Sequence, residues 1–421
     1  MTTLLLALAC PGDQVIISGD TPVDTGNPVP DDSVETVPGD TSEPVDSGDT
    51  GEMPSDDELY ERFFDVNVIQ VIDIELSQAS INRLNNVDGR TYVEGNVVVN
   101  GYRFDNVGVR FKGSSTYTDL DCGDGYCKAS FKIKFDEFVA GQKFGDLERV
   151  TLNNMMTDYT QSKEVIVYGL LAEHSQLASR ANYARVTLNG ESWGLYANVE
   201  TADDEWLKRR FADPSGNFWG TAYYYGDFYG PYLDTGWVSK SGDGDQSQLW
   251  AVTVALDAYR GDFFGELGGL INTDQWLDYW AWCAVVGNYD GYPFTLNDVL
   301  IYADPADGNR FVFAPWGTDE SWAEYELSGQ TWNAVGGRLG TACLYDQACV
   351  DELLVHINTA IELYDESEVL ARAQAAWDLS EADVLTDDKR PFTVDYVWYY
   401  RDYYADLMPR YGDYVRGKTG L

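Results

Sequence analysis

The sequence predicts an α+β protein in which a strand-rich part, residues 62–205, precedes a mainly helical part, residues 206–421. Alternating apolar and polar residues flank the Asn-Gly steps at 100–101 and 189–190, a pattern typical of tight β-hairpins. From Cys349 onward, by contrast, apolar residues recur with the spacing of amphipathic helices. The two patterns occupy different stretches of the chain, so strands and helices are expected to be segregated.

The strand-rich part contains several further elements. Residues 66–76 predict a first strand, and residues 129–136, where lysines alternate with apolar residues, predict another. The segment ERVTLNNM continues the same sheet. Residues 162–178 have helical apolar spacing. We therefore expect a largely antiparallel sheet with one main helix packed on it.

The second part opens with ADDEWLKRRFAD, whose acids come first and bases last, an order that suits a helix dipole. The Tyr- and Gly-rich residues 222–237 predict an ordered loop. Residues 273–287 predict a buried helix capped by Thr273. DVLIY and RFVFAPW predict two strands that interrupt the helical part.

The charge balance excludes one class of partner. The 421 residues include 28 Lys and Arg against 70 Asp and Glu, which gives a net charge of −42. Such a protein repels a phosphate backbone, so nucleic-acid binding is not expected. The acidity itself is a common property of soluble proteins and does not identify a partner.

The N-terminus predicts export. Residues 1–10, MTTLLLALAC, resemble a bacterial lipoprotein signal in which Cys10 becomes the lipidated first residue of the mature chain. A cleaved secretion signal and a chance apolar start are the alternatives. Residues 11–61 are rich in Pro, Gly, Asp, Ser and Thr and predict a disordered tether. We expect a protein at the cell envelope or outer surface that touches the membrane only through the lipid anchor.

The cysteines agree with an oxidising compartment. CGDGYC at 122–127 and CLYDQAC at 343–349 predict two local disulfides that close surface loops. Zinc is the competing interpretation, but the spacings are unsuitable and neither histidine lies near a cysteine pair. Cys283 lies in an apolar helix and predicts a buried thiol.

Oxygen-bearing side chains recur around the two strands of the second part. Asp290 and Asn297 precede the first strand, and Asp319 follows the second. A protein kinase needs this set, because one aspartate accepts the proton of the substrate hydroxyl while an asparagine and a second aspartate hold Mg²⁺. Basic residues that could contact phosphate lie on earlier strands, namely Lys112, Lys128, Lys132 and Lys134. The alternative is that they are solvated strand lysines.

The chain also resembles the CotH family, the spore-coat-protein-H kinases, over about residues 66–325. The resemblance lies in six motifs in order: RFKGSS, KASFKIKF, LNNMMTDYTQSKEVIVYGL, YARVTLNGESWGLYANVE, NYDGYPFTLNDVLIYADPADG and FAPWGTDESW. It implies a two-lobed, atypical protein-kinase-like fold with a β-rich N-lobe and a helical C-lobe. It further implies phosphate transfer from ATP, with Mg²⁺ or Mn²⁺, to serine or another hydroxyl of secreted or surface proteins.

The resemblance implies roles for individual residues. Asp290 matches the catalytic aspartate, while Asn297 and Asp319 match metal ligands. Lys132 is the best match for the lysine that contacts phosphate, with Lys128 behind it. The remaining residues that the resemblance places around the nucleotide are Lys112, Arg110, Ser114, Glu164 and Glu200.

One position departs from the family pattern. Where the family has Pro-Trp-Asp-x-Asp, this chain has a glycine, Gly317, in the place of the first aspartate. Two other carboxylates, Asp298 and Glu320, lie near these motif residues in the sequence, but strand alternation predicts that Asp298 points away from Asn297. Loss of this carboxylate favours an alternative function, a catalytically impaired surface lipoprotein with a binding or structural role. A glycan hydrolase using the paired carboxylates is a more distant alternative.

Overall fold

A computed structural model of the protein describes residues 55–86, 89–113, 120, 128–174, 176–222, 226–322 and 332–421. Several residues considered above lie outside these ranges, namely Cys10, most of the predicted tether, Ser114, Cys122 and Cys127.

The described residues form the following elements. The strands are β1 Gln70–Leu76, β2 Val93–Val99, β3 Tyr102–Lys112, β4 Ser130–Lys134, β5 Arg149–Asn153, β6 Ala181–Leu188, β7 Glu191–Val199, β8 Phe218–Thr221, β9 Trp237–Ser241, β10 Val299–Asp304 and β11 Arg310–Pro315. The helices are α1 Asp56–Phe63, α2 Gln78–Asn86, α3 Lys163–Glu173, α4 Asp204–Arg210, α5 Gly230–Gly236, α6 Ser247–Ala258, α7 Phe263–Leu267, α8 Thr273–Val285, α9 Tyr292–Thr295, α10 Arg338–Leu344, α11 Gln347–Glu366, α12 Val369–Thr386, α13 Val394–Leu407 and α14 Tyr411–Thr419. Short 3₁₀ turns lie at Pro305–Asp307 and Met408–Arg410.

The first seven strands close into a barrel in the order β1-β2-β3-β4-β5-β7-β6. Neighbouring strands run antiparallel except β1 and β6, which pair in parallel with Gln70 opposite Ala184. Alternate residues of β1, among them Ile72 and Ile74, are fully buried in the barrel core. The predicted sheet is therefore present, but it is closed and includes one parallel pair.

Both predicted hairpins are confirmed. Asn100 and Gly101 have φ angles of 50° and 88°, and Asn189 and Gly190 have φ angles of 52° and 80°. These left-handed conformations are the ones that a two-residue turn between twisted strands requires, and Asn-Gly adopts them with little strain. The turns join β2 to β3 and β6 to β7.

Helix α3 lies within the predicted range 162–178 and is buried on nearly all sides, because it packs between β6 of the barrel and α12. The N-terminal part also contains a helix that was not predicted. Residues 56–61, predicted as the end of the tether, instead belong to α1. This helix buries Leu59, Tyr60 and Phe63 in the barrel's core cluster, which explains why it is ordered.

The second part is less purely helical than predicted. It contains a four-stranded antiparallel sheet in the order β11-β10-β8-β9. Strands β10 and β11 were predicted, whereas β8 and β9 were not. The predicted loop 222–237 contains helix α5, and Trp237 begins β9. Helix α8 begins at Thr273, but its cap is Asn272, whose side chain accepts from the Gln275 amide.

The fold is α+β with a sheet-rich N-terminal part and a helical C-terminal part, but the described residues belong to one compact unit. Its largest core cluster contains side chains from β6 and β7 as well as from the C-terminal helices. A buried ion pair also joins the two parts, with Lys128 Nζ 2.5 Å from Asp387 Oδ2. Two clearly separate lobes, as the resemblance implies, are not evident.

The cysteine predictions that fall on described residues are confirmed. Cys343 and Cys349 form a disulfide, and Cys283 is a free, buried thiol. Across the described ranges, no helix is both long enough and apolar enough to cross a membrane.

Candidate active site

A cavity of about 350 Å³ is lined by side chains from both parts of the fold. The barrel contributes the ends of β3 and β5, next to the start of α3. The second part contributes β9, the loop between α8 and β10, and the segment after β11. The charged and amide side chains among its lining residues are Lys112, Asn153, Asn154, Glu164, Lys240, Asp290, Asn297, Asp298, Asp319 and Glu320.

On the barrel side, a hydrogen-bonded chain runs from Lys112 through Asn153 to Glu164. The Lys112 ammonium donates to the side-chain carbonyl of Asn153. The Asn153 amide in turn donates to both carboxylate oxygens of Glu164, at 2.7 and 2.9 Å. Burial lowers the pKa of Lys112, although Glu164 opposes this shift. Burial, reinforced by the charge of Asp319, raises the pKa of Glu164 to about 8.

Glu164 is held in place by the loop before α3. The carboxylate of Asp158 accepts from the backbone amides of Thr160, Ser162 and Lys163, at 2.8, 2.6 and 2.6 Å. These bonds satisfy amide groups at the start of α3 that have no partner within the helix. They therefore fix the first turn of α3, and with it the direction in which Glu164 faces the cavity.

Lys240 is a second cation in the cavity wall. It lies on β9, and its side chain passes over Gly220 of β8, where an added Cβ would be 2.6 Å from Lys240 Cε. Desolvation of the ammonium group, together with the charges of Lys112 and Arg110, lowers the Lys240 pKa to about 8. No strand was predicted over Trp237–Ser241, so sequence reasoning missed this residue.

From the second part of the fold, Asp290 and Asn297 line the cavity and are hydrogen-bonded to each other. Asn297 Nδ2 donates to Asp290 Oδ2 at 3.1 Å. The Thr295 hydroxyl also donates to Asp290, to its backbone carbonyl at 2.7 Å and its Oδ1 at 3.2 Å. The short helix α9 and the left-handed Leu296 after it, with φ 62°, return the chain so that the two side chains meet. Burial raises the pKa of Asp290.

Asp319 enters the cavity from the segment after β11. The Thr157 hydroxyl donates to Asp319 Oδ2. Two residues earlier, the Gly317 amide donates to the Tyr168 hydroxyl at 3.0 Å. Both partners belong to the N-terminal part of the chain, so the segment that carries Asp319 is anchored to α3 and the loop before it.

The structure corrects the expected direction of Asp298. This residue precedes β10 and has a φ of 35°, so strand alternation does not apply to it. Its side chain lines the same cavity as Asn297. Burial and the charges of Asp290 and Asp319 raise its pKa well above the ordinary value.

The structure thus brings together five residues that the sequence singled out: Lys112, Glu164, Asp290, Asn297 and Asp319. It places four of the others outside the cavity wall, namely Lys128, Glu200, Lys132 and Arg110. Lys128 is buried against Asp387, and Glu200 pairs with Arg210 at 2.6 Å and accepts from Tyr60.

Lys132 and Arg110 are outside the wall formed by the described residues. They face each other across β4 and β3, two positions along the strands from Ser130 and Lys112, which do line the cavity. Alternation therefore identified the correct strand face, but it could not show which lysine lies at the cavity end. Ser114 lies outside the described residues.

The donor set fits a hard divalent cation bound together with phosphate. Within the described ranges, no group of three or more His, Cys, Asp or Glu side chains is arranged to hold a metal by itself. Mg²⁺, however, is usually held by one or two carboxylates while phosphate and water oxygens complete its octahedron. Asn297 and Asp319 supply oxygens of this kind in the same cavity as the ammonium groups of Lys112 and Lys240.

Comparison with known proteins identifies the family to which the chain belongs. Residues 109–352 match the family described as CotH kinase protein, which is more than half of the chain, and the chain belongs to this family. The matched range contains all the cavity residues named above.

A particular relative is the inner spore coat protein H of Bacillus subtilis strain 168. It is 23% identical over 211 residues, which cover 46% of this chain and 55% of the relative. The chain thus spans about half the length of this curated relative.

Proposed function

We propose that the protein is an ATP-dependent kinase that transfers phosphate to serine, or another hydroxyl, of a secreted or surface protein. The observation that supports this most directly is the convergence in one cavity of Lys112 and Glu164, bridged by Asn153, with Asp290, Asn297 and Asp319. Phosphoryl transfer depends chiefly on positioning and on neutralising charge, and these groups can supply both.

In this proposal Asp290 accepts the proton of the attacking hydroxyl. Its carboxylate is oriented by hydrogen bonds from Thr295 and Asn297, and Asp290 lines the cavity. A general base must lie within hydrogen-bond reach of the proton that it removes. The proposal therefore requires the serine hydroxyl to enter the cavity beside Asp290.

The nucleotide's phosphates would lie between the two walls. Lys112 and Lys240 neutralise phosphate oxygens from one side, and Glu164 keeps Lys112 in position through Asn153. Asn297 and Asp319 would hold Mg²⁺ or Mn²⁺ from the other side. The cation, when bound, would offset the negative charge shared by the phosphates and the aspartates. The barrel and the helical part would then correspond to the two lobes of an atypical kinase.

We further propose that the protein acts outside the cytoplasm and is anchored through a lipid on Cys10. The Cys343–Cys349 disulfide supports export, because disulfides persist chiefly in oxidising compartments. Metabolic labelling with a fatty-acid analogue tests the anchor. Label should enter the wild type and be absent from Cys10→Ser, and label in both would contradict the proposal.

Nucleotide binding is the first test of the proposed function. Addition of Mg²⁺ and a non-hydrolysable ATP analogue to the full-length protein should raise its melting temperature, since a ligand at about 100 times its Kd stabilises by roughly 2.7 kcal/mol. Binding without any phosphate transfer would favour the alternative of a catalytically impaired surface protein. No shift with either Mg²⁺ or Mn²⁺ would contradict the proposal.

A further inference from the structure

The segments that contain Asp298 and Gly317 are adjacent because β10 and β11 end together. Val299, the first residue of β10, pairs with Pro315, the last residue of β11. Beyond this pair, the Trp316 amide donates to the Asp298 carbonyl at 3.2 Å. Residues 298 and 317 are therefore neighbours in space, although 18 positions separate them in the sequence.

Both residues have an unusual backbone conformation. Asp298 has a φ of 35° and Gly317 a φ of 65°, in the region that L-residues other than Asn and Asp rarely adopt. Because of this conformation, the Asp298 side chain does not follow the alternation of a strand. It lines the cavity together with Asn297 and Asp319. The backbone at residue 317 would direct any side chain towards the same point.

The carboxylate of Asp298 fills the space that a side chain at residue 317 would need. A Cβ built on Gly317 would lie 2.2 Å from Asp298 Oδ2 and 2.7 Å from its Cγ. Only a residue without a side chain leaves room for Asp298 in this position. Gly317 thus removes a carboxylate from the Pro-Trp corner and at the same time leaves room for the carboxylate of Asp298, just before β10.

The charges of the cavity indicate what this carboxylate binds. Among the residues that the structure describes, the lining includes five carboxyl groups and two ammonium groups. A wall with this excess of negative charge repels a polyphosphate unless divalent cations accompany it. Asp298 lines the cavity together with two other aspartates, Asp290 and Asp319, and follows Asn297 in the chain, an arrangement of oxygens that suits such a cation.

We propose that Asp298 is a direct ligand of the divalent cation. Its carboxylate would bind the ion from the space that a side chain at residue 317 would otherwise occupy. This inference rests on the proposed nucleotide-dependent function and assigns to that site a ligand that the linear motif lacks. Asp298 and Gly317 then form an exchangeable pair, in which one carboxylate can be supplied from either segment.

Exchange of the two residues tests the proposal. The variants are Asp298→Asn, Gly317→Asp and the double exchange Asp298→Gly with Gly317→Asp. Mn²⁺ binding is measured by electron paramagnetic resonance, with and without a non-hydrolysable ATP analogue. Asp298→Asn should weaken Mn²⁺ binding at least tenfold, and Gly317→Asp should weaken it as well because the two side chains compete for one space. The double exchange should restore binding to within about threefold of the wild type, since one well-placed carboxylate accounts for most of the difference.

Circular dichroism and melting temperature without ligand establish that each variant is folded, and Asp298→Asn preserves the shape of the side chain. Wild-type affinity in Asp298→Asn, or a double exchange no better than the single variants, would overturn the inference. Mn²⁺ binding that depends on Asp298 but is unaffected by the nucleotide would support this inference while contradicting the proposed function. Mn²⁺–nucleotide binding that does not depend on Asp298 would do the reverse.

Discussion

The side-chain amide of Asn153 donates to both carboxylate oxygens of Glu164, at 2.7 and 2.9 Å, and its carbonyl accepts from Lys112. An amide can bridge a cation and an anion in this way because its carbonyl oxygen accepts hydrogen bonds while its NH₂ group donates them. The bridge keeps Lys112 and Glu164 apart while fixing both, so the ammonium remains available to a phosphate group.

Removal of this bridge should weaken nucleotide binding. Asn153→Ala leaves Lys112 without its anchor, and a hydrogen bond to a charged group is worth about 1.5–3 kcal/mol. We expect roughly a 10- to 100-fold loss of Mg²⁺–ATP affinity by isothermal titration calorimetry. Asn358→Ala is the control and should bind as the wild type does, because Asn358 is a half-buried residue of α11 that bonds to Glu362 and does not line the cavity. Unchanged affinity in Asn153→Ala would refute this role.

Lys240 should contribute to nucleotide binding although no sequence motif indicated it. Lys240→Met removes one of the cations that line the cavity, so we expect roughly a tenfold loss of Mg²⁺–ATP affinity. Lys208→Met removes a lysine that pairs with Glu205 outside the cavity and should have no such effect. Equal affinities for the two variants would show that Lys240 does not contact the nucleotide.

Lys128 should matter for stability and not for nucleotide binding. Its ammonium is buried, donates to the Leu195 carbonyl at 2.6 Å and pairs with Asp387. Breaking a buried pair leaves an uncompensated charge, so Lys128→Met should lower the free energy of unfolding by about 3–5 kcal/mol. Denaturant titration measures this loss, and the double variant Lys128→Met with Asp387→Asn should recover part of it. A specific loss of ATP affinity in folded Lys128→Met would instead favour the phosphate contact expected from the sequence.

His356 should make stability depend on pH. Its Nδ1 lies 2.7 Å from Asp278 Oδ1, and this hydrogen bond raises the His356 pKa. The folded state therefore binds the proton more tightly than the unfolded state does. The stabilisation is complete below the unfolded pKa of about 6.5 and is lost as pH rises through the higher folded value.

Melting temperatures across this range provide the measurement. His356→Gln should be less stable than the wild type at pH 5.5, and the difference should shrink as the pH rises above the folded pKa. Burial lowers the pKa of His174, so His174→Gln should show the opposite trend and serves as the matched control. A deficit in His356→Gln that is independent of pH would contradict the account.

The sequence predicted features that depend on local conformation. The Asn-Gly hairpins, the range of α3 and the Cys343–Cys349 disulfide could be predicted because nearby residues determine them. Closure of the barrel could not be predicted, since it joins Gln70 to Ala184 through a parallel pairing that leaves no local pattern.

The same distinction applies to the cavity. The loop of Asp290 and Asn297 could be identified from its residue types and spacing. The choice between Lys112 and Lys132 depended on which end of a strand faces the second part of the fold, and this is a property of tertiary packing. Asp298 was misjudged because a positive φ replaced the strand alternation on which the prediction relied.

The central claim is tested most directly by phosphate transfer. The full-length protein is incubated with radiolabelled ATP, Mg²⁺ or Mn²⁺, and a serine-containing peptide library, beside Asp290→Asn and the exposed control Asp351→Asn. The account predicts labelling by the wild type and by Asp351→Asn, with a loss of about 10²–10⁴-fold in Asp290→Asn, the usual contribution of a general base. Labelling by Asp290→Asn at the wild-type rate, or none by the wild type with either metal, would contradict it.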